Sequence, residues 1–125
     1  MKQDIRRLPD SELELMQIIW DREPPVTRPE IEETLAKTHP LAPTTILTFL
    51  TRLCAKGFLS LERRGRVNYY TPLVSRRAYL AAASRGVLDR LYGGSLANFA
   101  VALSESGVSR EELEQLRRML EEGTL

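Results

Sequence analysis

Thr45, Thr48 and Arg52 follow one another at spacings of three and four residues, which sets two hydroxyls and one guanidinium along one side of a helix. Such groups reach base edges and phosphates when a helix lies in a DNA major groove. A second cluster, Arg63, Arg64 and Arg66 around Gly65, offers three guanidiniums on a short connection, which suits phosphate contact. Pro43 and Thr44 at the start of the helix and Lys56 at its end complete a candidate DNA-binding set.

These side chains need a helix and a hairpin to carry them. Ile46, Phe49, Leu50 and Leu53 recur at the i, i+3, i+4, i+7 spacing of a buried stripe, opposite the hydroxyls. Gly57 stops that helix. Phe58 to Glu62 and Val67 to Thr71 alternate like half-buried strands, with Arg63-Arg64-Gly65-Arg66 as the tip between them. The pattern predicts a recognition helix followed by a basic wing.

Upstream, Leu13, Met16, Ile19 and Trp20 predict a first amphipathic helix, capped by Asp10 or Ser11 and ended by Pro24-Pro25. Val26 is expected to pair with the hairpin. Thr27 caps a second helix, with Pro29 in its first turn and Ile31 and Leu35 on its apolar side. His39-Pro40 closes it, so a helix-turn-helix spans Thr27 to Lys56. Downstream, Ser75 caps a long helix bearing Tyr79, Leu80, Ala83, Val87, Leu88 and Leu91, and Gly93-Gly94 breaks it. Ser95 caps a helix through Leu96, Phe99 and Leu103. After Gly107, the capping box Ser109 to Glu112 opens a last helix with Leu113, Leu116 and Leu120. Short helices with leucine faces cannot bury those faces alone. The expectation is a dimer held by Leu80, Val87, Leu88, Leu91, Leu96, Phe99, Leu103, Leu113, Leu116 and Leu120. The fold class is therefore mostly α with a small antiparallel β-hairpin: a winged helix-turn-helix domain over residues 1–74 and a helical dimerisation arm over 75–125.

Composition narrows the function. The 125 residues carry a net charge of only +1, so partner choice rests on charge distribution. Thr38 to Val74 hold five basic residues against one acid, Glu62, whereas residues 75–125 hold seven of each sign. The local excess marks the DNA-facing part. One cysteine excludes an internal disulfide, no run of about 18 apolar residues is long enough for a membrane helix, and MKQDIRRLPD lacks a signal-peptide core. A cytoplasmic protein is expected.

Catalysis has no support: there is no Gly-rich phosphate loop, no His-Glu-x-x-His and no paired His and Cys. No enzyme activity, metal or cofactor is expected. Other residues have plainer roles. Thr45 and Thr48 also suit a solvated helix face, Arg52 can lie along its own helix, and a basic wing tip also serves solubility. Arg6 and Arg7 precede the first helix, where a phosphate contact is one option. His39 is expected in a loop, and Cys54 beside the apolar stripe as a small packing side chain. The alternative function is a winged helix that docks a protein; such a face should carry aromatic or aliphatic anchors, where this one shows threonine and arginine. A DNA-binding activator is the other alternative.

Several runs carry a more specific likeness: Leu8 to Trp20; Pro43-Thr44-Thr45-Ile46 with Leu50, Arg52-Leu53 and Lys56-Gly57; Tyr69-Tyr70-Thr71-Pro72-Leu73; and Leu91-Tyr92-Gly93-Gly94-Ser95 before a Glu-rich last helix. In order and spacing the chain resembles the penicillinase-repressor family of bacterial transcription factors (BlaI/MecI/CopY type) over nearly its whole length. The resemblance implies a homodimer on double-stranded DNA, each subunit on half of an inverted repeat, with TACA/TGTA half-site cores common in the family. It implies repression by promoter occupancy. Copper-responsive members carry paired cysteines in the C-terminal tail; the tail after Ser109 has none, so copper sensing of that kind is not expected. Beta-lactam-responsive members are cut at an Asn-Phe bond in the arm, which implies an inactivating protease as a further partner. Asn98-Phe99 is present, but anchoring on Gly94-Ser95 and on Ser109 to Leu116 puts the family's scissile pair near Ala102-Leu103. Phe99 also has core spacing with Leu96 and Leu103. A cut after Asn98 by such a protease is therefore not expected.

Overall fold

A computed structural model describes residues 5–123 as six helices and one hairpin. The order is α1 (Asp10–Trp20), α2 (Arg28–Ala36), α3 (Pro43–Ala55), β1 (Leu59–Arg64), β2 (Val67–Pro72), α4 (Arg76–Tyr92), α5 (Leu96–Glu105) and α6 (Arg110–Glu122). Two compact units divide between Ala82 and Ala83.

In the first unit, α1, α2 and α3 pack on one another, and β1 packs on α3. Of the predicted stripe, α3 sinks Ile46, Leu50 and Leu53 completely, whereas Phe49 is only half-buried. Each such side chain contributes roughly 1.5–3 kcal/mol by leaving water. The end of α3 is a Schellman motif: Phe58 N–H donates to the Leu53 carbonyl at 2.9 Å and Gly57 N–H to that of Cys54 at 3.1 Å. Gly57 takes φ 81°, a left-handed conformation that side chains resist, and Phe58 packs back beside Leu53 in the core. This fixes the angle at which the hairpin leaves the recognition helix.

The hairpin registers Arg64 opposite Val67, so its turn is only Gly65-Arg66. Arg63 and Arg64 therefore belong to β1, a correction to the four-residue tip expected from sequence. Gly65 supplies φ 62° while no non-glycine residue among those described has positive φ, the pattern of a type II′ two-residue turn. Val26 bridges Tyr70 through reciprocal 2.8 Å bonds, the predicted short pairing at the hairpin's edge.

Thr27 stands at the N-cap of α2 with Pro29 in its first turn, and its N–H and hydroxyl both donate to the Glu30 carboxylate. α1 differs from expectation in two ways. Pro9, not Asp10 or Ser11, occupies its N-cap, because Leu8 is already buried and its N–H is held by the Tyr79 hydroxyl at 2.9 Å. Its fully buried apolar residues are Leu15, Met16 and Ile19, with Leu13 and Trp20 half-buried, since α1 meets both α2 and α3.

The start of α4 also belongs to this unit. Ser75 caps it by accepting from Ala78 N–H at 3.0 Å. Trp20 Nε1 donates to the Val74 carbonyl at 2.9 Å, and Tyr79 is buried with ring centroids 5.8 Å from Trp20 and 5.7 Å from Phe58. The division accordingly falls after Tyr79, later than the boundary at Val74 that the sequence suggests.

In the second unit the predicted breaks are all present. Gly93 and Gly94 take φ 56° and 80°, and Ser95 accepts from Asn98 N–H. Ser109 and Glu112 exchange the two bonds of a capping box at 3.1 Å each. Among the described residues none beyond Tyr79 is fully buried.

Candidate nucleic-acid interface

The exposed side of α3 is set by its buried side. Opposite Ile46, Leu50 and Leu53 stand Thr44, Thr48 and Thr51, at the i, i+4, i+7 spacing of one face, with Arg52 exposed on one flank and Leu47 on the other. Pro43 is exposed in the first turn and Thr45 is half-buried. Thr48 donates its hydroxyl proton to the Thr44 carbonyl at 3.0 Å, and Thr51 donates to that of Leu47 at 2.9 Å. Arg52 lies 5.9 Å from the Phe49 ring centre, its stem along its own helix and its guanidinium free of any ion pair among the described residues.

The wing arginines are exposed but not equivalent. Arg63 Nε donates to the Gly65 carbonyl at 3.1 Å. Arg64 lies over the Tyr69 ring at 4.8 Å and pairs with Glu62 at 3.0 Å. The Arg64 guanidinium holds the Glu62 carboxyl below the usual carboxylate range. Arg66 is exposed and has no ion pair among the described residues.

Lys56 sits differently from its place in the candidate set. Its ammonium lies 2.5 Å from the Glu12 carboxylate, which is almost wholly enclosed, so it ties the end of α3 to α1 instead of reaching outward. Glu12 was not legible as its partner: nothing local marks two residues 44 positions apart. Leu47 and Thr51 were also missed. The spacing Thr44, Thr48, Thr51 was the available signal for the second, and a leucine outside the buried stripe for the first.

Of the other singled-out residues, Arg6 and Arg7 are exposed before α1. His39 is an exposed loop residue 3.2 Å from Glu14. Cys54 is half-buried, and burial pushes its thiol above the ordinary value. In the arm, Val87, Leu88, Phe99, Leu103 and Leu113 are half-buried, whereas Leu80, Leu91, Leu96, Leu116 and Leu120 are exposed, Leu91 and Leu96 at 69%. Phe99 stands edge-on to Tyr92, 5.4 Å between centres, and Asn98 beside it is exposed. No helix of the described residues is long and apolar enough to cross a membrane.

Three packed helices, a hairpin with a basic turn and a hydroxyl-lined outer face on the third helix define a winged helix-turn-helix protein with a helical C-terminal extension. The chain belongs to the penicillinase repressor family, whose model matches residues 8–122. It is 36% identical to the penicillinase repressor of Bacillus licheniformis over 94% of this chain and 92% of that one. It is 30% identical to the transcriptional regulator BlaI of Mycobacterium tuberculosis over 94% and 86%. To the methicillin resistance regulatory protein MecI of Staphylococcus aureus it is 29% identical over 88% and 89%. Among solved structures it resembles the DNA-binding domain of the repressor BlaI, with TM-score 0.54 and 37% identity over 62% of this chain and 94% of that one. It also resembles monomeric B. licheniformis BlaI in complex with the blaP half-operator, with TM-score 0.51 and 38% identity over 61% and 92%.

Proposed function

We propose that this chain is a transcriptional repressor that binds an inverted-repeat operator as a homodimer. The winged helix of residues 1–74, with the first turns of α4 packed onto it, holds DNA; the helices of residues 75–125 hold two copies together. α3 enters the major groove with Pro43, Thr44, Thr45, Thr48 and Arg52 toward base edges and flanking phosphates, and Arg63, Arg64 and Arg66 meet the backbone. One observation carries this reading: the exposed face of α3 and the wing turn are cationic and hydroxyl-bearing, in a fold like that of a repressor domain solved on its half-operator.

Pairing of two chains is supported by the arm, where Leu91, Leu96, Val101 and Leu120 are more than half exposed. Phe99, held against Tyr92, favours a structural role for the Asn98-Phe99 bond over a cleavage role. Membership of a family of repressors favours occupancy of DNA over catalysis.

A salt titration tests the reading. Binding to duplexes selected from a random library should weaken steeply with salt, at about 0.9 log units per log unit for each phosphate contact. Absent binding, or binding indifferent to salt, contradicts it.

A further inference from the structure

Within the DNA-binding reading just given, we infer that Leu47 recognises the 5-methyl group of a thymine in each operator half-site. The ligand is apolar: a methyl projecting into the major groove, the feature that distinguishes thymine there from every other base.

Three observations converge. Leu47 is 37% exposed on α3, although the same helix buries Ile46, Leu50 and Leu53 completely. The hydroxyl protons of Thr48 and Thr51 are committed to the carbonyls of Thr44 and Leu47. The outer face of α3 is thereby poorer in free hydroxyl protons than its composition suggests, although its hydroxyl oxygens still accept, and Leu47 stands on its flank as an apolar contact. Finally, Leu47 and Val67 line one cleft of about 280 Å³ where α3, the start of α2 and the wing meet, with Arg66 in the same lining; Arg28, also there, is paired with Glu32 at 2.5 Å. An aliphatic patch beside the Arg66 guanidinium, which has no ion pair among the described residues, suits duplex DNA, in which base methyls lie between two phosphate strands. A protein-docking hot spot asks for a larger uncharged patch with aromatic anchors.

The contact selects by shape and desolvation, without a hydrogen bond. Removing a thymine methyl leaves Leu47 against water, and removing the leucine leaves the methyl against water, so the two losses should not add.

The experiment uses the full chain and duplexes selected from a random library. Each thymine of the selected half-site is replaced in turn by deoxyuridine, symmetrically in both halves, and affinity is read by fluorescence anisotropy at fixed salt. At one position the change should weaken the native chain about fourfold per half-site, the value of roughly one buried methyl. L47A should bind the thymine duplex with a similar loss and be indifferent to deoxyuridine there. L47M, which keeps an aliphatic contact, should retain the deoxyuridine penalty. Circular dichroism confirms that each variant is folded. A deoxyuridine penalty that persists in full in L47A overturns the inference, as does a native chain indifferent to deoxyuridine at every position. Failure to select any duplex overturns the operator reading itself, which separates the two.

Discussion

The Lys56 ammonium at the end of α3 lies 2.5 Å from the Glu12 carboxylate in α1, and the two side chains differ in exposure, 24% against 3%. The pair joins the recognition helix to the first helix through charge. It turns a surface lysine of the sequence into part of the frame that orients the recognition helix. K56A strands a carboxylate in the core and should cost about 3–5 kcal/mol. E12Q leaves an ammonium with a path to water and should cost less, on the order of 1–3 kcal/mol. Urea denaturation of both variants checks the order; equal costs, or the reverse, contradict the assignment. K56A should leave the salt slope of DNA binding unchanged.

Tyr79 should act as part of the winged-helix unit even though it lies on α4. Its hydroxyl accepts from the buried Leu8 N–H, and its ring meets Trp20 and Phe58. Y79F removes the acceptor alone and should destabilise by about 1–3 kcal/mol. Thermal melts of a 1–82 fragment carrying Y79F measure this without the arm. A neutral substitution contradicts the role given to the hydroxyl.

On the wing, Arg66 and Arg64 should separate. Arg66 is unpaired among the described residues, whereas Arg64 is engaged by Glu62 and Tyr69. R66A in a dimer should reduce the log–log salt slope by roughly 2, at about 0.9 for each of two lost contacts. R64A should reduce it by less. A slope unmoved by R66A removes the wing from the backbone.

The arm should be separable from the reading head. A fragment ending at Ala82 keeps Tyr79 and should be folded and monomeric, with operator affinity lower by orders of magnitude, because linking two half-site contacts raises effective concentration. A fragment ending at Val74 loses Tyr79 and should be less stable. Sedimentation of the full chain at micromolar concentration should give a dimer; a monomer there contradicts the role of the exposed arm leucines.

What the sequence made legible were features written locally. Thr27, Ser75, Ser95 and Ser109 mark helix starts because a hydroxyl or carboxylate within three residues meets unpaired N–H groups. Ile46, Leu50 and Leu53 mark a buried face by period alone. The features that escaped depend on chain topology. Glu12 meets Lys56, and Leu8 meets Tyr79, only once α1 has packed on α3 and α4 has folded back to the amino-terminal segment. The wing turn was misjudged by two residues because arginines pair across strands as readily as they decorate a loop, and only the register of Arg64 with Val67 decides. That the Thr48 hydroxyl donates to the Thr44 carbonyl is likewise not visible in composition.

The most direct test of the homodimeric operator-binding account is the symmetry and stoichiometry of the DNA the full chain selects. Selection from a random duplex library, followed by sedimentation of the bound complex, should yield an inverted repeat occupied by two chains. Its half-site centres should lie about one helical turn, or a multiple of it, apart. An enriched sequence without two-fold symmetry, occupied by one chain, would contradict it.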